Sequence, residues 1–420
     1  MSYFNLSGKI LKLADEAERM CESQFLEISK QSKVHKERVL GAFIDQKVSS
    51  SHFSATTGYG YDDHGRDCID RVFAQVFDAQ DALVRHGFAS GTHAIGTALF
   101  GLLRPGDRML SITGEPYDTL SSVIGFSKKH QGSLESFGIG YSQVDLCDDR
   151  FDDQKISKIL KEEKINLVYI QRSRGYSFRS SIFASQIEEI CSLIKLISPK
   201  TIIICDNCYC EFVEVLEPLS VGVHLIAGSL IKNPGGAIAP CGGYIAGKKS
   251  LIKRCAERFT IPGMGKEVGA TLGFNRDLLM GIFNAPIVTG EALKTAIFAA
   301  AIFELLGFVT IPRFCHRRSD IVQAIKIGNK EALLAFCRGI QKASPVDSFV
   351  SPEPWDMPGY GCQVVMAAGT FTQGSSIELS ADAPLKDPFA VWMQGSIDFF
   401  YGKIAILSAA QELLNENHKK

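Results

Sequence analysis

Across residues 8–48, apolar residues recur at three- and four-residue intervals among lysines and glutamates, with no proline to interrupt them. That spacing predicts one or two long helices. Residues 50–66 break the rhythm with Ser-Ser-His and then Gly-Tyr-Gly-Tyr-Asp-Asp-His-Gly-Arg, an irregular polar segment. From residue 67 onward helical and strand patterns alternate. Helices are expected at 68–77, 92–103, 152–163 and 185–197, and strands at 81–85, 108–112, 166–171, 201–205, 224–228 and 243–246. Alternation of this kind builds crossover units, so the fold class is α/β, a mainly parallel sheet flanked by helices on both faces.

Near residue 285 the pattern changes. A long helix is expected over 289–306, followed by a region with Pro352, Pro354, Pro358, Pro384 and Pro388 in loops and strands at 364–368 and 376–380. A smaller C-terminal α+β domain is the reading. A chain of 420 residues exceeds one typical core. The expected division is an N-terminal helical arm over 1–60, a large domain over 61–288 and a small domain over 289–420.

Composition narrows the function classes. A formal net charge of −1 provides no field for nucleic acid or an anionic membrane. Twelve cysteines lie scattered without compact spacing. The first residues, Met-Ser-Tyr-Phe-Asn, lack the basic and apolar regions of a leader. Reduced thiols and a cytoplasmic location follow as expectations. The apolar stretch 292–309 carries Lys294 and Glu304 inside it, which predicts a buried helix rather than a membrane span.

The candidate chemistry gathers at strand ends. Lys232 lies in Gly-Ser-Leu-Ile-Lys-Asn-Pro-Gly-Gly, after an apolar stretch, and Asn-Pro-Gly-Gly forbids a helix there. Asp206 closes the apolar run Thr-Ile-Ile-Ile-Cys-Asp. A strand-end amine and a strand-end carboxylate are what pyridoxal 5'-phosphate requires, the first to form a Schiff base and the second to keep the pyridinium nitrogen protonated. Ser90, Gly91 and Thr92 follow a strand and open a helix, an anion site for a phosphate or an ordinary helix cap. Tyr117 lies just past the next strand, where a ring can stack on a flat heterocycle or half-pack in a loop. Ser229 stands beside Lys232 and can reach the same phosphate. Arg172 and Arg174 end another strand and could grip a substrate carboxylate. Cys205 and Cys208 have a zinc-like spacing without a second pair, so no metal is expected.

These segments, together with Arg-Asp-Cys-Ile-Asp-Arg at 66–71, Ser-Gly-Thr-His-Ala-Ile at 90–95, Gly-Glu-Pro-Tyr-Asp-Thr at 114–119, Gln-Arg-Ser-Arg-Gly-Tyr at 171–176 and Gly-Ser-Ser-Ile-Glu-Leu-Ser-Ala-Asp at 374–382, resemble the aluminium-resistance, or methionine γ-lyase-like, family of pyridoxal phosphate proteins. The resemblance covers nearly the whole chain. It implies a type I fold and carbon–sulfur bond cleavage by β- or γ-elimination on a small sulfur-containing amino acid. By resemblance Lys232 is the Schiff-base lysine, Asp206 the pyridinium partner, Tyr117 the stacking ring, and Ser90, Gly91, Thr92 and Ser229 the phosphate contacts. It also implies a homodimer or homotetramer in which Tyr59 or Tyr61, with Arg66, reaches a neighbour's phosphate. Better-known relatives carry a carboxylate-binding arginine late in the chain. The 378–382 segment has none, which leaves Arg172 or Arg174 as substitutes. A cofactor-binding protein without turnover is the alternative.

Overall fold

The computed structural model describes residues 2–126, 130–357 and 361–417, so Pro358 of the expected proline loops lies outside the described residues. In chain order the elements are α1 Gly8–Asp45, α2 His64–Val76, β1 Asp81–Arg85, α3 Gly91–Leu102, β2 Arg108–Ser111, α4 Asp118–Ile124, β3 Gly140–Gln143, α5 Asp153–Glu162, β4 Leu167–Gln171, α6 Ala184–Ile197 and β5 Ile202–Asp206. They continue with β6 Leu225–Ser229, β7 Gly243–Gly247, α7 Lys249–Phe259, α8 Asn275–Leu305, β8 Val309–Ile311, β9 Gln323–Lys326, α9 Lys330–Lys342, β10 Val364–Ala367, β11 Ser380–Pro384, β12 Ala390–Gln394 and α10 Phe399–Asn417.

The N-terminal pattern resolves as one helix. Ser7 caps α1 through its side chain, which accepts from the Ile10 N–H, and Ile10, Ala14, Ala17, Cys21, Ile28 and Val39 form its buried stripe. That stripe packs on α8. Helix α8 starts fourteen residues earlier than the expected 289–306, because Pro286 inside it reads as a stop in sequence yet is buried within the packed helix. It runs unbroken through residues 288 and 289. It is also the one helix among the described residues long and apolar enough to cross a membrane, and most of it is buried inside the protein.

Seven strands form the larger sheet in the order β1-β7-β6-β5-β4-β2-β3. Strand β7 runs antiparallel to both of its neighbours, and the remaining pairs are parallel. Strands β4, β5 and β6 are nearly continuous apolar runs, as a sheet covered on both faces demands. Helices α3 and α7 bury one face, while α2, α5, α6 and the start of α8 bury the other. The mainly parallel α/β expectation holds.

The second sheet has five antiparallel strands, β10-β11-β12-β9-β8, packed against α9 and α8, with α10 lying on those two helices. The strand expected over 376–380 is instead a loop, and β11 begins at Ser380. Two observations account for the difference. Glu378 is buried and its carboxylate accepts the N–H groups of Phe371 and Thr372 at 2.7 and 2.9 Å, tying the segment to a loop. Leu379 then takes a φ of 139°, incompatible with a regular strand.

Candidate active site

Parallel strands deliver side chains to their carboxyl ends, where open α/β sheets bind ligands. Asp206 ends β5, Ser229 ends β6, Gln171 ends β4, and Ser90 caps α3 just beyond β1. The second sheet faces these ends. Between them lies a cleft of about 250 Å³ lined by Ser90, Gly91, Thr92, Tyr117, Asp206, Ser229 and Lys232 from the first layer. Ser380, Asp382, Trp392 and Gln394 line it from the second. Seven sequence-predicted residues therefore share one cavity.

The loop that carries Lys232 is held by close backbone packing. A β-carbon on Gly235 would lie 1.6 Å from the Leu230 carbonyl oxygen, and one on Gly236 would lie 2.3 Å from the Gly281 carbonyl oxygen of α8. Only glycine lets this turn seat against its surroundings, and Gly236 also has a φ of 52°. The Lys232 ammonium lies over the Tyr209 ring, 3.9 Å from its centroid. Burial by itself would lower the pKa of Lys232, but Cys208, Tyr209 and the Asp206 and Glu211 carboxyl groups outweigh it and hold the amine above its ordinary value.

Asp206 is buried and fixed by two donors. Its carboxylate accepts the Cys208 N–H at 3.0 Å and the Tyr169 hydroxyl at 3.3 Å. Burial, reinforced by the charge of Asp206, pushes the Tyr169 phenol well above its usual range, so it stays a donor. Such supporting bonds hold a carboxylate in one orientation toward whatever it faces.

The residues fit a phosphorylated, flat cofactor. Ser90 accepts the His93 N–H at 3.1 Å, leaving the first N–H groups of α3 directed outward. Gly91 is buried and approached so closely that a β-carbon there would meet Ser229 Cβ at 3.2 Å and Cys208 Sγ at 3.3 Å. A bare backbone beside a serine at a helix N-terminus is a cradle for a phosphate. Thr92 is bridged to Thr119 through their hydroxyls at 2.7 Å. Tyr117 stands over the cleft with Tyr176 edge-on to it, ring centroids 5.8 Å apart.

Other predicted residues lie elsewhere. Arg172 is fully buried beneath the sheet edge and does not line the cleft. Its guanidinium reaches Glu214 at 2.6 Å, Asn207 at 2.9 Å and Glu217 at 3.7 Å, so in this structure it is committed to the interior and does not point into the cleft. Arg174 is also buried and pairs with Asp320 at 3.3 Å. It lines an adjoining, more open hollow of about 830 Å³ that shares Tyr117, Gln171, Gly175 and Tyr176 with the cleft. Arg66 is buried too, donating to the carbonyls of Gly60 at 2.7 Å and Gly269 at 3.1 Å, away from the cleft of its own chain. Tyr59 and Tyr61 are exposed and stacked on each other, centroids 5.5 Å apart. Among the described residues no group of three His, Cys, Asp or Glu side chains could hold a metal ion.

Sequence reasoning missed three groups. Tyr209 sits under Lys232 with a φ of 72°, a left-handed conformation that costs a non-glycine residue on the order of 1–3 kcal/mol. Asp382 enters the cleft from β11. Glu211 is buried behind Gly228, accepting the Tyr244 hydroxyl at 2.8 Å, and burial pushes its pKa up to about 8. The proximity of Asp206 and Tyr209 to Glu211 in sequence was the available signal, but nothing local marks which carboxylate turns inward.

Glu211 makes a stability prediction. Its folded pKa lies above the unfolded value, so the folded state holds a proton that the unfolded state releases between about pH 4.5 and 8. Stability is therefore full below that window and falls as pH rises through it. Glu211→Gln is expected to match the wild type near the acid end and to exceed it by a few kcal/mol at most above the window, an order of magnitude set by the cost per pKa unit. Urea midpoints measured at both ends check this, and parallel pH slopes for the two proteins would refute it.

Comparisons place this architecture among known proteins. The sequence profile described as methionine gamma-lyase matches residues 10–414. An uncharacterised protein from Bacillus subtilis is 45% identical over 411 residues, spanning 97% of this chain and 98% of that one. The crystal structure of a carbon-sulfur lyase involved in aluminum resistance from Clostridium novyi is 48% identical, covers 98% of this chain and 97% of that chain, and superposes with a TM-score of 0.94. A pyridoxal-5'-phosphate-dependent protein from Escherichia coli shares the fold at 16% identity and a TM-score of 0.62, covering 94% of this chain and 97% of that one.

Proposed function

This chain belongs to the methionine gamma-lyase family, and from that premise we propose that it is a pyridoxal-phosphate-dependent carbon–sulfur lyase. Its substrate is a small sulfur-containing amino acid, such as cystathionine or methionine, which it cleaves by β- or γ-elimination to a thiol, a keto acid and ammonia. One observation carries the reading: a strand-end lysine, a doubly supported aspartate and a bare helix N-terminus converge on a single cleft.

The cofactor, when bound, supplies an electron sink for the carbanion formed at the substrate α-carbon. The chain's own groups do the rest. Lys232 would anchor the cofactor through its amine and would serve as the acceptor of the α-proton. Asp206 keeps a proton on the ring nitrogen. Tyr117 covers the ring face. Ser90, Gly91, Thr92 and Ser229 hold the phosphate. Tyr59 and Tyr61, exposed and remote from their own cleft, suit the completion of a second copy's phosphate site, together with Arg66, in a homodimer or homotetramer.

One observation favours a second reading, a cofactor-binding protein without turnover. Among the described residues lining the Lys232 cleft there is no arginine to receive a substrate carboxylate. The test is to load the purified protein with pyridoxal phosphate and assay keto acid and ammonia from cystathionine, cysteine and methionine. Release from any one supports the lyase; a loaded protein inert toward all three supports the second reading.

A further inference from the structure

Alternation along β11 turns Ser380 and Asp382 toward the cleft, and β12 turns Trp392 and Gln394 the same way. Asp382 is only 6% exposed. One of its oxygens, Oδ2, accepts from the Tyr176 hydroxyl at 2.9 Å and from Gln394 Nε2 at 3.1 Å. The other, Oδ1, is buried and has no hydrogen-bond partner among the described residues. No lysine or arginine among them forms an ion pair with it either. An ionised carboxylate left in this state is costly, so the group has reason to be there.

We propose that Asp382 is the acid that protonates the departing sulfur. This inference rests on the lyase reading above. With both acceptor contacts on Oδ2, the proton belongs on Oδ1, the partnerless oxygen of a residue that lines the cleft. When the carbon–sulfur bond breaks, its electron pair goes to sulfur, the Asp382 proton forms the new S–H bond, and a carboxylate remains. As the thiol leaves, the proton that Lys232 took from the α-carbon passes through water to the Asp382 carboxylate, which restores both groups. Burial holds the Asp382 pKa above the usual carboxylate range, in spite of its two donors and the charge of Lys232, which keeps the acid form available. The neighbouring acids in the cleft are poorer donors: burial raises the thiol of Cys208 and the phenol of Tyr209 above values that already exceed any carboxyl's.

The test compares two substrates that differ in how much their leaving group needs a proton. An S-alkyl cysteine releases a basic thiolate; an S-(nitrophenyl) cysteine releases one that is stable as an anion. Asp382→Asn is expected to lower the alkyl rate on the order of 10²-fold or more relative to the aryl rate, the usual contribution of a positioned acid. The variant should still take up pyridoxal phosphate with the wild-type visible absorbance. Infrared difference spectra between wild type and Asp382→Asn should carry the C=O stretch of a protonated carboxyl. Should Asp382→Asn fold poorly, Asp382→Ser is read in the same way. Equal losses on both substrates, or no protonated-carboxyl band, overturn this role alone. A loaded wild type inert toward both substrates overturns the lyase reading, and this role with it.

Discussion

Lys232→Ala is expected to lose the visible absorbance of the bound cofactor and to cut elimination by about 10³-fold or more, since it removes both the anchoring amine and the proton acceptor. The size of the effect follows from the cleft. Lys232 is the only lysine or arginine among the described residues lining it, so no second amine can substitute. Its loop is seated too tightly for a neighbour to swing in, with Gly235 pressed on the Leu230 carbonyl. Absorbance titration with pyridoxal phosphate and a single-turnover assay measure the two losses separately. A variant that keeps both the band and the turnover would remove Lys232 from its assigned place. Added primary amine that restores part of the rate in Lys232→Ala would support the proton-transfer role specifically.

Arg172→Met should unfold more easily by about 3–5 kcal/mol, the usual cost of removing one partner of a buried ion pair. Arg172 is fully buried with Glu214, Glu217 and Asn207 around it. Glu217 is buried as well, and burial raises its pKa against the opposing pull of Arg172. Without the guanidinium, Glu217 takes up a proton or remains as an isolated buried charge. The deficit in urea midpoint should therefore shrink at acid pH, where protonation is cheap. Because Arg172 lies outside the cleft, the folded fraction should keep the wild-type KM. A raised KM with unchanged stability would return Arg172 to the substrate.

Both variants change residues just beyond strands of the same sheet, and the contrast shows how much of the site is written locally. Strand ends are visible because long apolar runs stop at polar residues: Asp206 after Ile202–Cys205, Lys232 after β6 and its turn. That periodicity comes from burial on both faces of a parallel sheet, a property of each segment by itself. Whether a polar residue at such an end faces the cleft or the interior depends on what packs over it. Asp206 ends β5 and Arg172 follows the last residue of the adjacent paired strand β4, yet Arg172 turns inward to meet Glu214 while Asp206 lines the cleft. The two carboxylates that receive Arg172 come from the segment after β5, at a separation no local pattern encodes.

The second sheet was the harder half to read. Glu378 ties 376–379 into a loop through two backbone N–H groups, a tertiary bond that overrides the strand propensity of Ile377 and Leu379. Strand β11 consequently starts later and carries Asp382 into the cleft.

By itself the chain's order of residues determined the α/β class, the placing of Asp206 at a strand end and Lys232 just past one, and the Ser90-capped start of α3, because each is written in a local run of burial period, turn residue and cap. Only the tertiary structure decided that Arg172 is an interior ion, that Tyr209 lies under the lysine, and that Asp382 closes the cleft from the opposite sheet. Those outcomes depend on which distant groups meet in a low-dielectric space, where an unpaired charge must find a partner, a proton or a ligand.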